Sequence, residues 1–393
     1  MQALRIDPAA RRQQSWDGVL LLLVAALSLG GYVMMGSASM DFAADRFDNP
    51  FYHVIRHGIY LTLGVVVLAC VLRIPVALWE SGSKLLLAIG MVLLVLVLVP
   101  GIGREVNGAT RWIGFGLFNV QPSELMKFFF VLWLAAYIPR FHRQISERML
   151  GMGPPIGMLV VVMFLLLLEP DFGAAVVIAG ATVGMLFVAG ARVLPFAFVI
   201  GAGVSSIGLL AIVSPYRMKR LVSYMDPWSD QYSSGYQLVQ ALIAFGRGEL
   251  AGVGLGNSVQ KLFYLPEAHT DFVFAIIAEE LGLIGGVAFI ALFAALVGRI
   301  LWVSRQALAR QQYFASHACV GIALLVAAQV FINIGVNAGL LPTKGLTLPF
   351  LSYGGSSLLI LFGMMGFVLR VESELRHSTA TTAASIGWRF RRA

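Results

Sequence analysis

The sequence predicts an all-α polytopic membrane protein of about ten transmembrane helices, with one long extracytoplasmic loop between helices 7 and 8. Three observations carry this. Of 393 residues, 59% are hydrophobic and only 12% charged, against roughly 45–50% and ~25% in a soluble domain. The apolar residues come in runs of about twenty, the length that crosses a bilayer. The basic residues alternate between successive connecting segments. A soluble enzyme, a disordered chain and a disulfide scaffold are excluded. Cys70 and Cys319 lie inside apolar runs without metal-ligand spacing and read as buried small hydrophobes. The net charge of +8 reports topology, not nucleic acid.

The first span runs from Gly18 to Gly36, behind Arg5, Arg11 and Arg12. Ser37-Ala38-Ser39 resembles a signal cleavage site, but the apolar core is longer than the roughly 7–15 residues of a signal peptide. Runs at 53–72, 84–100 and 121–138 supply the next three spans. Pro155 to Val213 holds 59 residues with three charges, Glu169, Asp171 and Arg192. That length suits three helices, broken at Glu169-Pro170-Asp171 and at Gly190-Ala191-Arg192. Runs at 271–299, 314–341 and 349–370 complete the set. Segments on the side of the termini hold 17 basic residues and the short opposite segments five, so both termini are expected in the cytoplasm.

The outer loop, 214–270, is too long to be structureless. Tyr236, Val239, Leu242, Ile243 and Leu250 suit a short helix at the interface, and Gly246, Gly248, Gly252, Gly254 and Gly256 mark a tight, re-entrant stretch. Residues 1–376 read as a single membrane domain and 377–393 as a disordered cytoplasmic tail.

Ionisable groups at membrane depth are functional hypotheses by default. Glu124 and Lys127, three apart, are near enough to pair on one helix face. Glu169 and Asp171 flank a proline, where a carboxylate caps the next helix. Glu279 and Glu280 fall two to three turns inside the eighth span, one reaching a partner and the other facing a polar cavity. Asp271 stands where the long loop hands over to a helix, and the helix N-terminus should keep its carboxylate ionised; a plain N-cap is the alternative. His269 has no further ligands at useful spacing for a metal. Arg217, Lys219 and Arg220 form a basic cluster on the outer side, suited to lipid phosphates or a pyrophosphate. Arg111, beside Trp112, is a further anion contact or an interfacial anchor. These groups fit a transporter, a flippase or an intramembrane transferase equally.

Three segments add a resemblance. The first is Asn107-Gly108-Ala109-Thr110-Arg111-Trp112-Ile113 with Gln121-Pro122-Ser123-Glu124 and Lys127. The second runs from Asp226-Pro227-Trp228 through Gly235-Tyr236-Gln237, Gly254-Leu255-Gly256-Asn257-Ser258, Gln260-Lys261 and Pro266 to Phe272, into Glu279-Glu280-Leu281-Gly282. The third starts at Asn333-Ile334-Gly335, passes Leu340-Leu341-Pro342-Thr343-Lys344-Gly345 and ends at Ser352-Tyr353-Gly354-Gly355-Ser356-Ser357. Together they resemble the SEDS family of bacterial cell-wall polymerases, and the stretch through Thr343-Lys344 resembles its division-type members.

The resemblance implies a peptidoglycan glycosyltransferase that polymerises lipid II on the outer face of the inner membrane, at the division septum. It implies Asp271 as catalytic base, with inversion at the anomeric carbon. Arg111, Arg217, Lys219, Arg220, Lys261 and His269 would meet the substrate and its pyrophosphate. Glu124, Lys127, Glu169, Glu280, Lys344, Ser352 and Tyr353 would give polar support. No resident metal or other cofactor is expected, a divalent cation (Mg or Mn) at most assisting. The implied partners are a class B penicillin-binding protein of the FtsI type and other divisome proteins, with no nucleic acid. The small-residue stretch Gly282 to Gly286 would allow close helix contact. A lipid II flippase of the same fold is the competing reading, and a non-catalytic septal scaffold a third.

Overall fold

The computed structural model describes residues 16–106, 109–115, 118–147, 149–191, 201, 224–233, 235–342 and 345–390. The first helices are α1 (Gly18–Phe47), α2 (Tyr52–Arg73) and α3 (Val76–Val97). A small sheet follows, of β1 (Gly103–Val106), β2 (Ala109–Phe115) and β3 (Phe118–Val120), and then α4 (Pro122–Arg140), α5 (His142–Glu147), α6 (Gly153–Leu168) and α7 (Phe172–Val188). The second half holds α8 (Tyr236–Gly248), α9 (Val273–Ala309), α10 (Tyr313–Asn337) and α11 (Gly355–Phe390).

Helices α1, α2, α3, α9 and α10 are long and apolar enough to cross a membrane, and α6 and α7 are shorter apolar helices. The chain is a multi-pass membrane protein. Apart from residue 201, the seventh expected span, near 192–213, lies outside the described residues, as do the basic cluster of Arg217, Lys219 and Arg220 and Lys344. Ser37 and Ser39 fall inside the continuous helix α1, which runs past the expected end at Gly36.

Local chemistry sets the helix ends. Asp17 caps α1 by accepting from Leu20 N–H at 3.2 Å and is held in turn by Arg299 at 2.7 Å. Pro75 precedes α3 and Pro122 opens α4, where a missing N–H costs nothing. Asp171 caps α7 through Ala174 N–H at 3.1 Å. Along the bundle, α10 packs on α4, α7 and α9, while α11 packs on α2 and α1 on α9. The periphery is apolar and open: Val65, Val66, Leu85 and Val92 are each more than half exposed on α2 and α3, a surface that lipid covers. Cys319 is buried, but Cys70 is exposed on α2, contrary to the expectation for it.

The antiparallel sheet, ordered β1-β2-β3, was not foreseen in an all-α chain. It joins α3 to α4 and is tied to the start of α11, since Ser356 Oγ accepts from Gln121 N–H at 3.2 Å and donates to Asn119 O at 2.8 Å. With it gather the N-termini of α4, α7, α9 and α11 and the C-termini of α3, α6 and α10. This end of the bundle carries the site.

The expected single span 271–299 is broken. Gly282 has φ 66° and ψ −166°, so Val273 to Leu281 forms a half-helix distinct from the rest of α9. The freed backbone groups are taken by the segment after α8. Leu283 N–H donates to Glu249 O at 2.9 Å and Ile284 N–H to Leu250 O at 3.1 Å. In return Val253 N–H and Gly254 N–H donate to the carbonyls of Glu279 and Glu280, each at 3.0 Å. A side chain at Gly282 would collide with the backbone of Leu250 and Gly252, so only glycine fits both the dihedral and the approach. Gly282 thus marks the break between the two helix pieces, packed against Leu250 and Gly252.

Candidate active site

Asp271 stands at the centre of the polar groups at this end. It does not cap α9, whose N-cap residue is Phe272. Its backbone carbonyl accepts from Nδ2 of Asn333 and Nδ2 of Asn337, both at 2.9 Å. Asn337 Oδ1 also accepts from Ala275 N–H at 3.1 Å, and Asn333 Nδ2 reaches Leu346 O. Two asparagines one turn apart on α10 therefore fix the chain on both sides of Asp271, together with the segment after Gly345.

The carboxyl of Asp271 is half-buried and has no hydrogen bond or ion pair among the described residues. A Cβ added to Gly345 would stand 3.1 Å from its Oδ2, so the glycine leaves that oxygen approachable. Burial pushes Asp271 up to about 7, repulsion from Glu267 adds to this, and Arg111 partly offsets it. The expectation that a helix dipole keeps it ionised is corrected: the helix begins two residues later, and desolvation outweighs what dipole remains.

Arg111, on β2, donates from Nε to Glu169 O at 3.1 Å and from Nη2 to Pro170 O at 2.6 Å. The guanidinium thus holds the α6–α7 turn while lying within electrostatic reach of Asp271. Glu169 is 1% exposed, and neither carboxyl oxygen has a partner among the described residues. Burial and the neighbouring Asp171 push it up to about 8, against Arg111. Asp171 is saturated by contrast, accepting from Ser123 Oγ at 2.7 Å and Gln121 Nε2 at 3.0 Å besides its cap.

His269 is buried against His53 and Tyr353, with ring centroids 4.9 and 6.0 Å away. Burial lowers His269 to about 4. Burial thus favours the neutral imidazole, which can meet a pyrophosphate as an N–H donor but not as a cation. Tyr353 donates its N–H to His269 O at 2.9 Å, and burial pushes its phenol up to about 12. Ser352 Oγ accepts from Leu348 N–H at 2.7 Å and shapes the same turn. His53 and His57, one turn apart on α2, join this cluster with their ring nitrogens unpartnered among the described residues. Two histidines at that spacing in an apolar run were a legible signal that the sequence reading passed over.

Lys127 pairs with Glu124 at 2.8 Å and reaches Gln329 Oε1 at 3.3 Å, deep between α4 and α10. Lys261 is placed elsewhere than expected. Its Nζ donates to Glu280 Oε1 at 3.1 Å, Ser37 Oγ at 3.0 Å and Gly256 O at 2.8 Å. An ammonium has three N–H groups, so none is left for a substrate. Among the described residues no three His, Cys, Asp or Glu side chains converge as metal ligands.

Comparison with known proteins gives a consistent result. Residues 18–377 match the family model for the FtsW, RodA and SpoVE cell cycle proteins. The chain is 52% identical to a probable peptidoglycan glycosyltransferase FtsW of Halomonas elongata, over 95% of this chain and 94% of that one. It is 51% identical to the protein of that name from Pseudomonas fluorescens, over 90% and 86%. Among solved structures it resembles a chain of a peptidoglycan synthase complex that coordinates polymerization and crosslinking, with TM-score 0.74, 29% identity and coverage of 92% and 98%. It also resembles the rod shape determining protein RodA of Thermus thermophilus, with TM-score 0.67, 29% identity and coverage of 92% and 97%.

Proposed function

From the premise that the chain belongs to the FtsW, RodA and SpoVE family of cell cycle proteins, we propose that it is a peptidoglycan glycosyltransferase that polymerises lipid II, with Asp271 as general base. The observation that carries this reading is the state of one carboxyl. Asp271 is fixed through its backbone, has no partner on its carboxyl oxygens among the described residues, and is raised to about 7. A base works best when its pKa lies near the working pH and its lone pairs are uncommitted.

In the proposed reaction Asp271 takes the proton of the acceptor sugar hydroxyl as that oxygen bonds to the anomeric carbon of the donor. The bond from that carbon to the lipid pyrophosphate breaks, the configuration inverts, and Asp271 returns its proton to water. The leaving pyrophosphate needs cations rather than an acid. Arg111 is within electrostatic reach of Asp271, and Arg217, Lys219, Arg220 and Lys344 are further candidates outside the described residues. Neither Lys261 nor His269 is assigned to this task, and no step is routed through a metal ion.

The proposed reaction lies on the outer face of the inner membrane at the division septum, with both termini cytoplasmic, a reading supported by the excess of basic residues on the side of the termini and by the likeness to relatives named FtsW. The proposed crosslinking partner is a class B penicillin-binding protein of the FtsI type within the divisome, a reading supported by the likeness to a chain of a peptidoglycan synthase complex.

The test is polymer formation from lipid II by the full chain with its penicillin-binding partner, whose transpeptidase serine is inactivated. Asp271→Asn should lower the rate about 10²–10⁴-fold while the protein stays folded and partner-bound. Undiminished polymer from Asp271→Asn would end the base assignment. Transport of lipid II without polymer, from the wild type, would favour a flippase.

A further inference from the structure

The half-helix that follows Asp271 is held by charges buried behind it. Glu279 and Glu280 are both 0% exposed. Glu279 accepts from Ser258 Oγ, from Val259 N–H at 3.1 Å and from Gln260 N–H at 3.3 Å, and pairs with Arg247 of α8 at 3.3 Å. Glu280 accepts from Ser37 Oγ of α1 at 2.7 Å, from Lys261 Nζ at 3.1 Å and from Ser258 N–H at 3.4 Å. The Lys261 ammonium closes the triangle by donating to Ser37 Oγ at 3.0 Å. Since Gly282 interrupts the helix ladder, the rest of α9 holds the orientation of Val273–Leu281 less rigidly than an unbroken helix would. The half-helix takes its orientation from the segment 249–262, from α1, and from the asparagines of α10.

We propose that Lys261 is a positioning residue for Asp271: with Ser37 it locks Glu280 to α1 and so sets where the half-helix presents the carboxyl. The proposal rests on the polymerase reading and adds to it a role for a lysine that reaches no substrate. About nine residues separate Glu280 from Asp271, some 13 Å along a helix, so any effect passes through the orientation of the half-helix. A displacement of about 1 Å at a reacting group costs on the order of 10²-fold in rate.

The experiment uses the full chain with its penicillin-binding partner and lipid II. Lys261→Met is compared with Ser37→Ala, with Lys261→Arg, and with Lys261→Met combined with Glu280→Gln, which removes both buried charges and protects against misfolding. Two readouts are taken: kcat and KM for polymerisation, and hydrogen–deuterium exchange of peptides spanning 249–262 and 273–281. The expected result is a kcat lowered about 10–100-fold with KM within about twofold in both Lys261→Met backgrounds. Exchange in 273–281 should rise, Ser37→Ala should have a smaller effect of the same kind, and Lys261→Arg should recover much of the rate.

A raised KM with kcat unchanged would overturn the proposal, since it would mean that Lys261 contacts substrate. Raised exchange with both constants unchanged would overturn it too, as would exchange in 273–281 that does not respond to Lys261. A wild type that makes no polymer would defeat the polymerase reading instead. The exchange measurement needs no turnover and keeps the two failures apart.

Discussion

Two pairs of carboxylates, Glu279 with Glu280 and Asp271 with Glu169, are treated in opposite ways. Glu279 and Glu280 are fully buried, and each is met by charged and neutral donors. Asp271 has no hydrogen bond to its carboxyl among the described residues, and Glu169 has none to either oxygen. Buried carboxylates that are saturated hold parts together, because every lone pair they offer is spent. Carboxyls left unsatisfied cost free energy, and a protein retains them where their proton has work to do. The contrast separates residues whose loss should cost the fold from residues whose loss should cost the reaction.

The contrast breaks most visibly at Glu279. Replacing it by leucine orphans Ser258 Oγ and the N–H groups of Val259 and Gln260 while leaving Arg247 without its carboxylate. A loss of about 2–4 kcal/mol is expected from the orphaned donors, since Arg247 is 44% exposed and water takes it over; it is read as a lowered thermal transition in detergent and a poor yield of monodisperse protein. Asp271→Asn should leave that transition unchanged or raised. A Glu279→Leu protein as stable as wild type would show that saturation is no guide to structural role here.

A second measurement sharpens the comparison on the chemical side. A base with pKa of about 7 is protonated, and inactive, below that value. The acidic limb of kcat/KM should therefore bend near pH 7 and fall about tenfold per pH unit below it. Penicillin-binding partner and lipid carrier are kept constant across the profile. A limb bending near pH 4 would mean that the Asp271 carboxyl is solvated as an ordinary aspartate.

The sequence spoke clearly where the controlling forces are local. Hydropathy in windows of about twenty residues located the long helices, because lipid demands continuous apolar runs. The pairing of Glu124 with Lys127 follows from helix geometry alone, and Pro170 between two carboxylates announced the α6–α7 turn. It was silent where distant segments meet. Gly282 reads as one more small residue in an apolar span, and the groups that fill its break come from Glu249 to Gly254, some thirty residues earlier. The strands that carry Arg111 are too short for alternation to betray them. Asn333 and Asn337 stood in a recognised motif, yet their hold on the Asp271 carbonyl exists only because α10 crosses behind it. The same long-range burial raised Asp271 to about 7, which a dipole argument from local sequence had no means to weigh.

The smallest predicted effect concerns Glu169, where the comparison can be tested without any substrate. Its carboxyl has a pKa of about 8 in the folded chain against 4.5 as an ordinary glutamate. Between those values the folded state holds a proton that the unfolded state releases, so stability falls as pH rises from about 4.5 to about 8 and levels off above. Glu169→Gln keeps the shape and removes the ionisation. The variant and wild type should melt together near pH 5, and the variant should gain a few degrees, roughly 2–4 °C, near pH 9. Arg111 is the residue that decides the sign. Two of its five N–H groups hold the carbonyls of Glu169 and Pro170, so an ionised Glu169 gains a partner only by reaching one of the others or by drawing the guanidinium off the turn it holds. A wild type that instead gains stability over the variant as pH rises would show that Arg111 makes the switch at no cost. Glu169 would then belong with the saturated pair and not with Asp271.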